Sequence, residues 1–308
     1  MKCFKLSIAL SAVLLLLTAC SGIGVFGGTK NPQTIGETHQ GTQGIAFDFV
    51  TNYPPSIIYL SGGDTGTNIL LDVRNLGSFD TTPQFYFSGF DTKILPNMPS
   101  GVVYSQMLKG RSPTNPDGGY FQLQVPTYST LNVNMPKDSD IFTFNLQATA
   151  CFDYETQASL AVCVDPNPYG AVTQKACIPH GAASTGGQGA PIAITSAEQE
   201  SLKNKVIFKI TVTNSGGGQV YEKGKTTMCT RLAYSDLNKI TYSPFTLGGQ
   251  AGTCTPASPV SLRTGQSATI TCVFSVTGDL AYTTTLNADL MYGYMLSKQR
   301  SVQIKKIS

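Results

Sequence analysis

Ile69-Leu70-Leu71-Asp72-Val73-Arg74-Asn75-Leu76-Gly77 and Phe208-Lys209-Ile210-Thr211-Val212-Thr213-Asn214-Ser215-Gly216 are one pattern written twice, 139 residues apart. In both, apolar and polar side chains alternate, which puts every apolar residue on one face of a β-strand. Both close on Asn-x-Gly, where a strand end calls for a positive φ. At the same offset Leu131 falls on Ile270, Val133 on Cys272 and Asp140 on Asp279. One inserted residue later, Leu146, Ala148, Tyr154 and Val162 fall on Leu286, Ala288, Tyr294 and Val302. Each copy ends in a long alternating segment, 141–164 and 281–304, which reads as two strands joined by a hairpin. Further short alternating runs, Ile45 to Val50 and Phe121 to Val125, are bounded by Gly, Pro, Asn and Ser. Only Ala197 to Asn204 is helix-like. The expected fold is all-β, a sandwich or barrel, with the repeat setting its units at 45–165 and 191–308 and a connector at 166–190.

The ends of the chain carry a different kind of signal. Lys2 and Lys5 precede an apolar run from Leu6 to Leu17, too short to cross a bilayer as a helix and suited to a signal peptide over 1–19. Leu17-Thr18-Ala19-Cys20 resembles the lipobox of bacterial lipoproteins. That resemblance implies cleavage before Cys20, a diacylglycerol on its sulfur, and an exported chain held to a membrane through lipid. With Ser21 and Gly22 following, and no aspartate, it implies the outer membrane if the host is Gram-negative. Residues 20–44, rich in Gly, Thr, Gln and Ser, read as a flexible tether.

Two further stretches, Phe208 to Gly216 and Leu262-Arg263-Thr264-Gly265-Gln266-Ser267-Ala268-Thr269-Ile270-Thr271, resemble immunoglobulin-like surface modules of the CARDB type. The resemblance implies two tandem immunoglobulin-like β-sandwiches and no shared active site. Each copy, at about 120 residues, exceeds a minimal sandwich of roughly 100, so additional loops or strands are expected.

Composition narrows the function. Of 308 residues 13% are charged, tryptophan is absent and histidine occurs twice. Removing Lys2 and Lys5 with the signal takes the formal charge from +3 to +1, too little for a nucleic-acid partner. Of eight cysteines, Cys3 leaves with the signal and Cys20 is the lipid site. The remaining Cys151, Cys163, Cys177, Cys229, Cys254 and Cys272 fit three disulfides in an exported chain. Cys163 with Cys177 and Cys254 with Cys272 are the preferred pairs. Cys151 and Cys229 are then either free and buried or a bridge between the two units.

Candidate chemistry is sparse. His39 lies in the tether and His180 in the connector, where no scaffold positions a base. Asp153 with Glu155, near an expected hairpin tip, and Asp138 with Asp140 are the paired carboxylates a glycosidase would need. Asp138, Asp140, Asp64 and Asp165 offer oxygens for calcium without a recognisable ligand set. Gly186 to Gly189 and Gly216 to Gly218 lack the lysine and helix of a phosphate loop. Neither a cofactor nor a metal is expected. Tyr169, in the proline-rich connector, is the candidate for outside contact. The chain thus reads as a non-enzymatic structural, adhesive or protein-binding envelope protein whose protein or surface-glycan partner is unspecified. The rivals are a carbohydrate-binding module and, less favoured, a lipid-anchored hydrolase.

Overall fold

The computed structural model describes residues 38–62, 65–99, 101–102, 106–126, 129–170, 174–183, 187–264 and 266–307. The signal peptide, Cys20, most of the expected tether, Asp64 and Gly186 lie outside them. The first half contributes β1 (Ile45–Phe49), β2 (Ile57–Leu60), β3 (Ile69–Asn75), β4 (Gln84–Ser88), β5 (Tyr120–Val125) and β6 (Ile141–Val164). The second contributes β7 (Ala182–Ala183), β8 (Ile192–Leu202), β9 (Lys205–Asn214), β10 (Gln219–Tyr221), β11 (Lys239–Tyr242) and β12 (Thr246–Leu247). It ends with β13 (Gln250–Ala251), β14 (Thr253–Thr255), β15 (Val260–Ser261), β16 (Ser267–Ser275) and β17 (Tyr282–Lys306). The fold is nearly all β, in sandwiched and predominantly antiparallel sheets.

The alternation does what the sequence expects of it. Ile69, Leu71 and Val73, like Phe208, Ile210 and Val212, are buried, while Asp72 and Arg74 face outward. β1-β3-β5 forms one sheet and β14-β16-β9-β8-β7 another. The third, of nine strands, is built on β6 and β17, whose buried side chains lie mainly on one face. Phe85 of β4 meets Phe47 of β1 and Phe121 of β5 edge-on, at 5.4 and 6.3 Å, which closes the first half around aromatic contacts.

The long terminal segments are not two-strand hairpins. β6 and β17 are single strands of 24 and 25 residues, paired antiparallel from Tyr282 opposite Val164 to Lys305 opposite Ile141. Neither segment has an Asn-Gly or Asp-Gly pair to fold it back in a tight hairpin, and each finds its partner in the other. At the centre Asp153 lies opposite Gly293, its own repeat equivalent, with Tyr154 opposite Tyr292 and Phe152 opposite Tyr294. Two equivalent antiparallel strands that cross at an equivalent residue are related by a local two-fold axis. β4 and β10 join β6 and β17 in the same relative register.

The two-fold relation extends to individual bonds. The Phe79 N–H donates to the Tyr154 hydroxyl, which donates to Asn75 Oδ1, and the Asn75 amide donates back to the Phe79 carbonyl, at 3.3, 3.1 and 2.8 Å. Gly218, Tyr294 and Asn214 repeat that circuit at 2.7, 2.8 and 2.8 Å. Leu76 N–H to the Gly44 carbonyl is matched by Ser215 N–H to Pro191, both 2.8 Å. Gly77 and Gly216 do not adopt the positive φ expected of them. They are glycines because a Cβ would overlap the Tyr154 hydroxyl in one copy and come within 2.6 Å of the Tyr294 hydroxyl in the other.

Three other expectations change. Val212 pairs Ala268 in β9–β16 as Val73 pairs Phe121 in β3–β5, so Ile270 and Cys272 correspond to Leu123 and Val125, not to Leu131 and Val133. The helix-like stretch lies in β8, whose Ala197 to Leu202 pair Ile210 to Lys205 before a turn at Asn204 with φ 59°; pairing overrides the local preference. Residues 38–44, expected within the tether, are instead held by the fold, and Thr38 is fully buried. Arg111 donates to the Thr38 and Gln40 carbonyls at 3.1 and 2.6 Å, and Gly41 pairs with Gly187.

Tyr154, Tyr221, Tyr292 and Tyr294 are buried near the axis. Burial, outweighing their hydrogen bonds, raises all four phenol pKa values, that of Tyr294 to about 12. In the unfolded chain these phenols release protons near pH 10, so the stability they contribute is complete below that pH and is lost as pH rises above it. The urea midpoint should be level between about pH 7 and 9 and fall steeply above about pH 10. Tyr294→Phe should flatten that fall while costing about 1–3 kcal/mol at neutral pH, because Asn214 Oδ1 and the Gly218 N–H lose their partner. A midpoint level to pH 11 in the native chain would contradict the burial.

Candidate functional site

The two-fold relation fails most clearly beside β4 and β10. β4 runs along β6 from Gln84, opposite Cys151, to Ser88, opposite Gln147. β10 stops at Tyr221, and residues 222–238 leave the sheet before β11 returns to β17 with Thr241 opposite Met291. The ends of this strap are closed. The Glu222 N–H donates to the Asp236 carbonyl and the Asn238 N–H to the Val220 carbonyl, both at 2.8 Å. Two short 3-10 turns, Thr226–Arg231 and Tyr234–Asp236, shape it. A closed excursion of this kind resembles an Ω-loop, though longer than most and packed on the sheet through Cys151, Tyr221 and Tyr86.

The first half of the chain holds the strap down. Cys229 bonds to Cys151 of β6 across 78 residues of sequence, with both cysteines buried. The Asp153 carboxylate accepts from the Gly224 N–H at 3.1 Å and the Thr226 hydroxyl at 3.0 Å. Tyr86 of β4 places its hydroxyl 3.0 Å from Gln84 Oε1 and 3.3 Å from the Thr226 carbonyl. Burial raises the Tyr86 pKa, with nearby Arg231 pulling against it. Beneath the strap Tyr221 packs with the cystine, its hydroxyl 3.1 Å from that of Thr226. Against its flank opens a cleft of about 420 Å³, lined by Phe79, Thr81, Met107, Asp153 and Thr227.

The residues singled out in the sequence fall elsewhere or serve as braces. Asp153 and Glu155 sit mid-strand in β6, not at a hairpin tip, and Asp153 is committed to the strap. Glu155 accepts from Gln157 at 3.0 Å; together with burial, the larger effect, it raises the pKa of Asp289. Asp138 occupies a turn with φ 62°, and Asp140 offers its backbone carbonyl to Lys306. Asp165 is buried and ion-paired to Lys175, with the Asn167 N–H donating to its second oxygen at 3.0 Å. No group of three or more His, Cys, Asp or Glu among the described residues is arranged to hold a metal. His180 is exposed, its ring nitrogen 2.9 Å from the Ile178 carbonyl, and His39 is half-buried at the chain's first described turn.

The other cystines are Cys163–Cys177, closing 14 residues at the start of the connector, and Cys254–Cys272, between directly opposed residues of β14 and β16. Tyr169, at 78% exposure, projects from the Asn167–Gly170 turn inside the first of these loops. The connector is therefore fastened at Cys177, at Lys175, and through β7 to β8. The strap escaped the sequence reading because its anchors, Cys151, Asp153 and Tyr86, lie far from it along the chain. The available signals were the eight residues by which the second copy exceeds the first between Asn-x-Gly and the next core strand, and Cys229 without a repeat equivalent.

No protein-family model, curated protein or solved structure matches the chain.

Non-reducing peptide mapping should recover Cys151 linked to Cys229. Replacing both with serine should cost about 2–4 kcal/mol and make 222–238 the first site of limited proteolysis, while the Cys163–Cys177 and Cys254–Cys272 peptides stay intact. First cleavage outside the strap would show that the cystine is not what secures it.

Proposed function

We propose that this is an exported protein, lipid-anchored through Cys20 in the cell envelope, in which two tandem immunoglobulin-like sandwiches present a binding or structural surface without catalysis. The observation that carries this reading is that several of its chemically capable side chains, those nearest the strap and the connector, serve as braces. Asp153 holds the strap, Asp165 holds Lys175, and six cysteines are paired. Even Asp80, at the mouth of the cleft, is ion-paired to Lys109 at 2.7 Å. Burial pushes its pKa up, but Lys109 and the Gly110 N–H pull it further down, below the usual carboxylate value. A glycosidase acid needs the opposite shift. Three cystines fit an oxidising compartment, in keeping with export.

The carbohydrate reading needs a row of free aromatic rings on one sheet face. On the outer face of β3 and β5 the one aromatic is Tyr120, and Arg74 lies over its ring at 5.1 Å while its hydroxyl donates to Asp72. Tyr154, Tyr292 and Tyr294 are buried. These placements favour a protein partner over a glycan. The mechanism is geometric: lipid fixes one end, the residues between Cys20 and Thr38 set the reach, and the sandwiches carry the surface outward.

Cys20→Ala should leave an uncleaved, unlipidated precursor that fractionates away from the membrane after carbonate or detergent-free washing, with its cystines intact. Mass spectrometry of the native chain should find acyl mass on Cys20. Normal membrane retention of Cys20→Ala would overturn the anchor.

A further inference from the structure

We propose that the strap formed by residues 222–238 is a preordered docking loop for a protein partner that offers an apolar pocket rimmed by carboxylates. The proposal rests on the reading that the protein acts by binding, and it assigns that binding to a surface. The strap is where the second half departs most clearly from the two-fold relation of β6 and β17. A departure that served only packing would not need to project side chains into solvent, and this one does. Tyr234 is 90% exposed and Met228 46% exposed, on a loop whose backbone is fixed by the Cys151–Cys229 bond, by Asp153 and by Tyr86.

What the strap shows outward has the composition of an interface centre. Tyrosine, methionine and arginine are enriched where proteins meet, and exposed tyrosine on a rigid support loses little entropy on binding. Its charge is sorted as well. Lys223 and Arg231 are exposed, while Glu222, at the strap's first residue, is half-buried. Asp236 is turned inward, accepting from the Ala233 N–H at 3.1 Å and lying 3.7 Å from Lys225, with its side chain 18% exposed. Asp153 is likewise engaged beneath the loop. The outward face is thus apolar and cationic, which fits a pocket for Tyr234 with acidic groups at its edge. The cleft beside Gly224 and Thr227 gives a partner side chain room to lodge against Met107, itself 56% exposed.

The test uses the full lipidated chain in intact cells of its own host, with a benzophenone amino acid at position 234, 169 or 282 as photo-crosslinker. One discrete protein adduct is expected from position 234 and none from 282 in β17. Arg231→Glu should reduce that adduct about tenfold, the loss of one well-placed charge contact. Unchanged non-reducing peptide maps and membrane fractionation would show that the variant is folded and anchored. No adduct at 234, or one insensitive to Arg231→Glu, overturns the proposal. An adduct at Tyr169 alone also overturns it while leaving the binding reading standing. Binding of the purified chain to phosphatidylglycerol vesicles that Arg231→Glu abolishes, without a protein adduct, would assign the strap to lipid and overturn it too.

Discussion

The antiparallel pairing of β6 with β17 is the constraint on which the remaining structure depends. It joins 24 residues of the first half to the second half over roughly 80 Å of strand, and it places each half's last strand in the other's sheet. Without it both strands would present long unpaired edges, the situation natural sheets avoid. With it, the smaller sheet of each half has a shared sheet to pack upon. The contact joins residues far apart in sequence, so the closure entropy has to be met before the pairing contributes. This places the completion of both halves late, after β17 exists.

The two-fold axis at Asp153 and Gly293 explains which residues can differ between copies. One residue off the axis, Tyr154 and Tyr294 keep the same circuit with Asn75 and Asn214, because each half needs its strand end closed in the same way. On the axis the two copies meet themselves and equivalence becomes a conflict. Gly293 must lack a side chain because a Cβ would overlap the Tyr221 ring. Its counterpart Asp153 instead keeps a carboxylate to hold Gly224 and Thr226. One strand yields space and the other supplies the bond, so the strap can cross on one side only.

Much of the architecture is legible in the chain, and the misreadings share a cause. Ile69, Leu71 and Val73 against Phe208, Ile210 and Val212 reveal the duplicated core because burial acts on each residue separately and leaves a period-two trace. A continuous strand of 24 residues leaves the same trace as two strands in a hairpin, so β6 and β17 are ambiguous until their partner is known. Leu131 and Val133 match Ile270 and Cys272 in polarity, yet the β3–β5 ladder selects Leu123 and Val125. Gly77 and Gly216 suggest backbone freedom, and their real reason is a tyrosine hydroxyl more than 70 residues away. Local chemistry is written locally; what decides register is not.

The same reasoning separates structure from function in a duplicated chain. Where both copies keep a residue and its bond, as with the tyrosine circuits, a common mechanical need accounts for it. Where one copy departs and the departure is buried, as at Gly293, the axis accounts for it. The strap is neither. It is specific to the second copy, costs a cystine and a carboxylate drawn from the first, and ends in side chains that touch solvent. Beneath it Leu232 and Leu237 close a small core with Tyr221 and the Cys151–Cys229 bond, a core that leaves Tyr234 and Arg231 outside. The proposed docking role gives the ordering of an exposed Tyr234 and Arg231 a physical reason: side chains already fixed by the fold lose less entropy on contact with a partner.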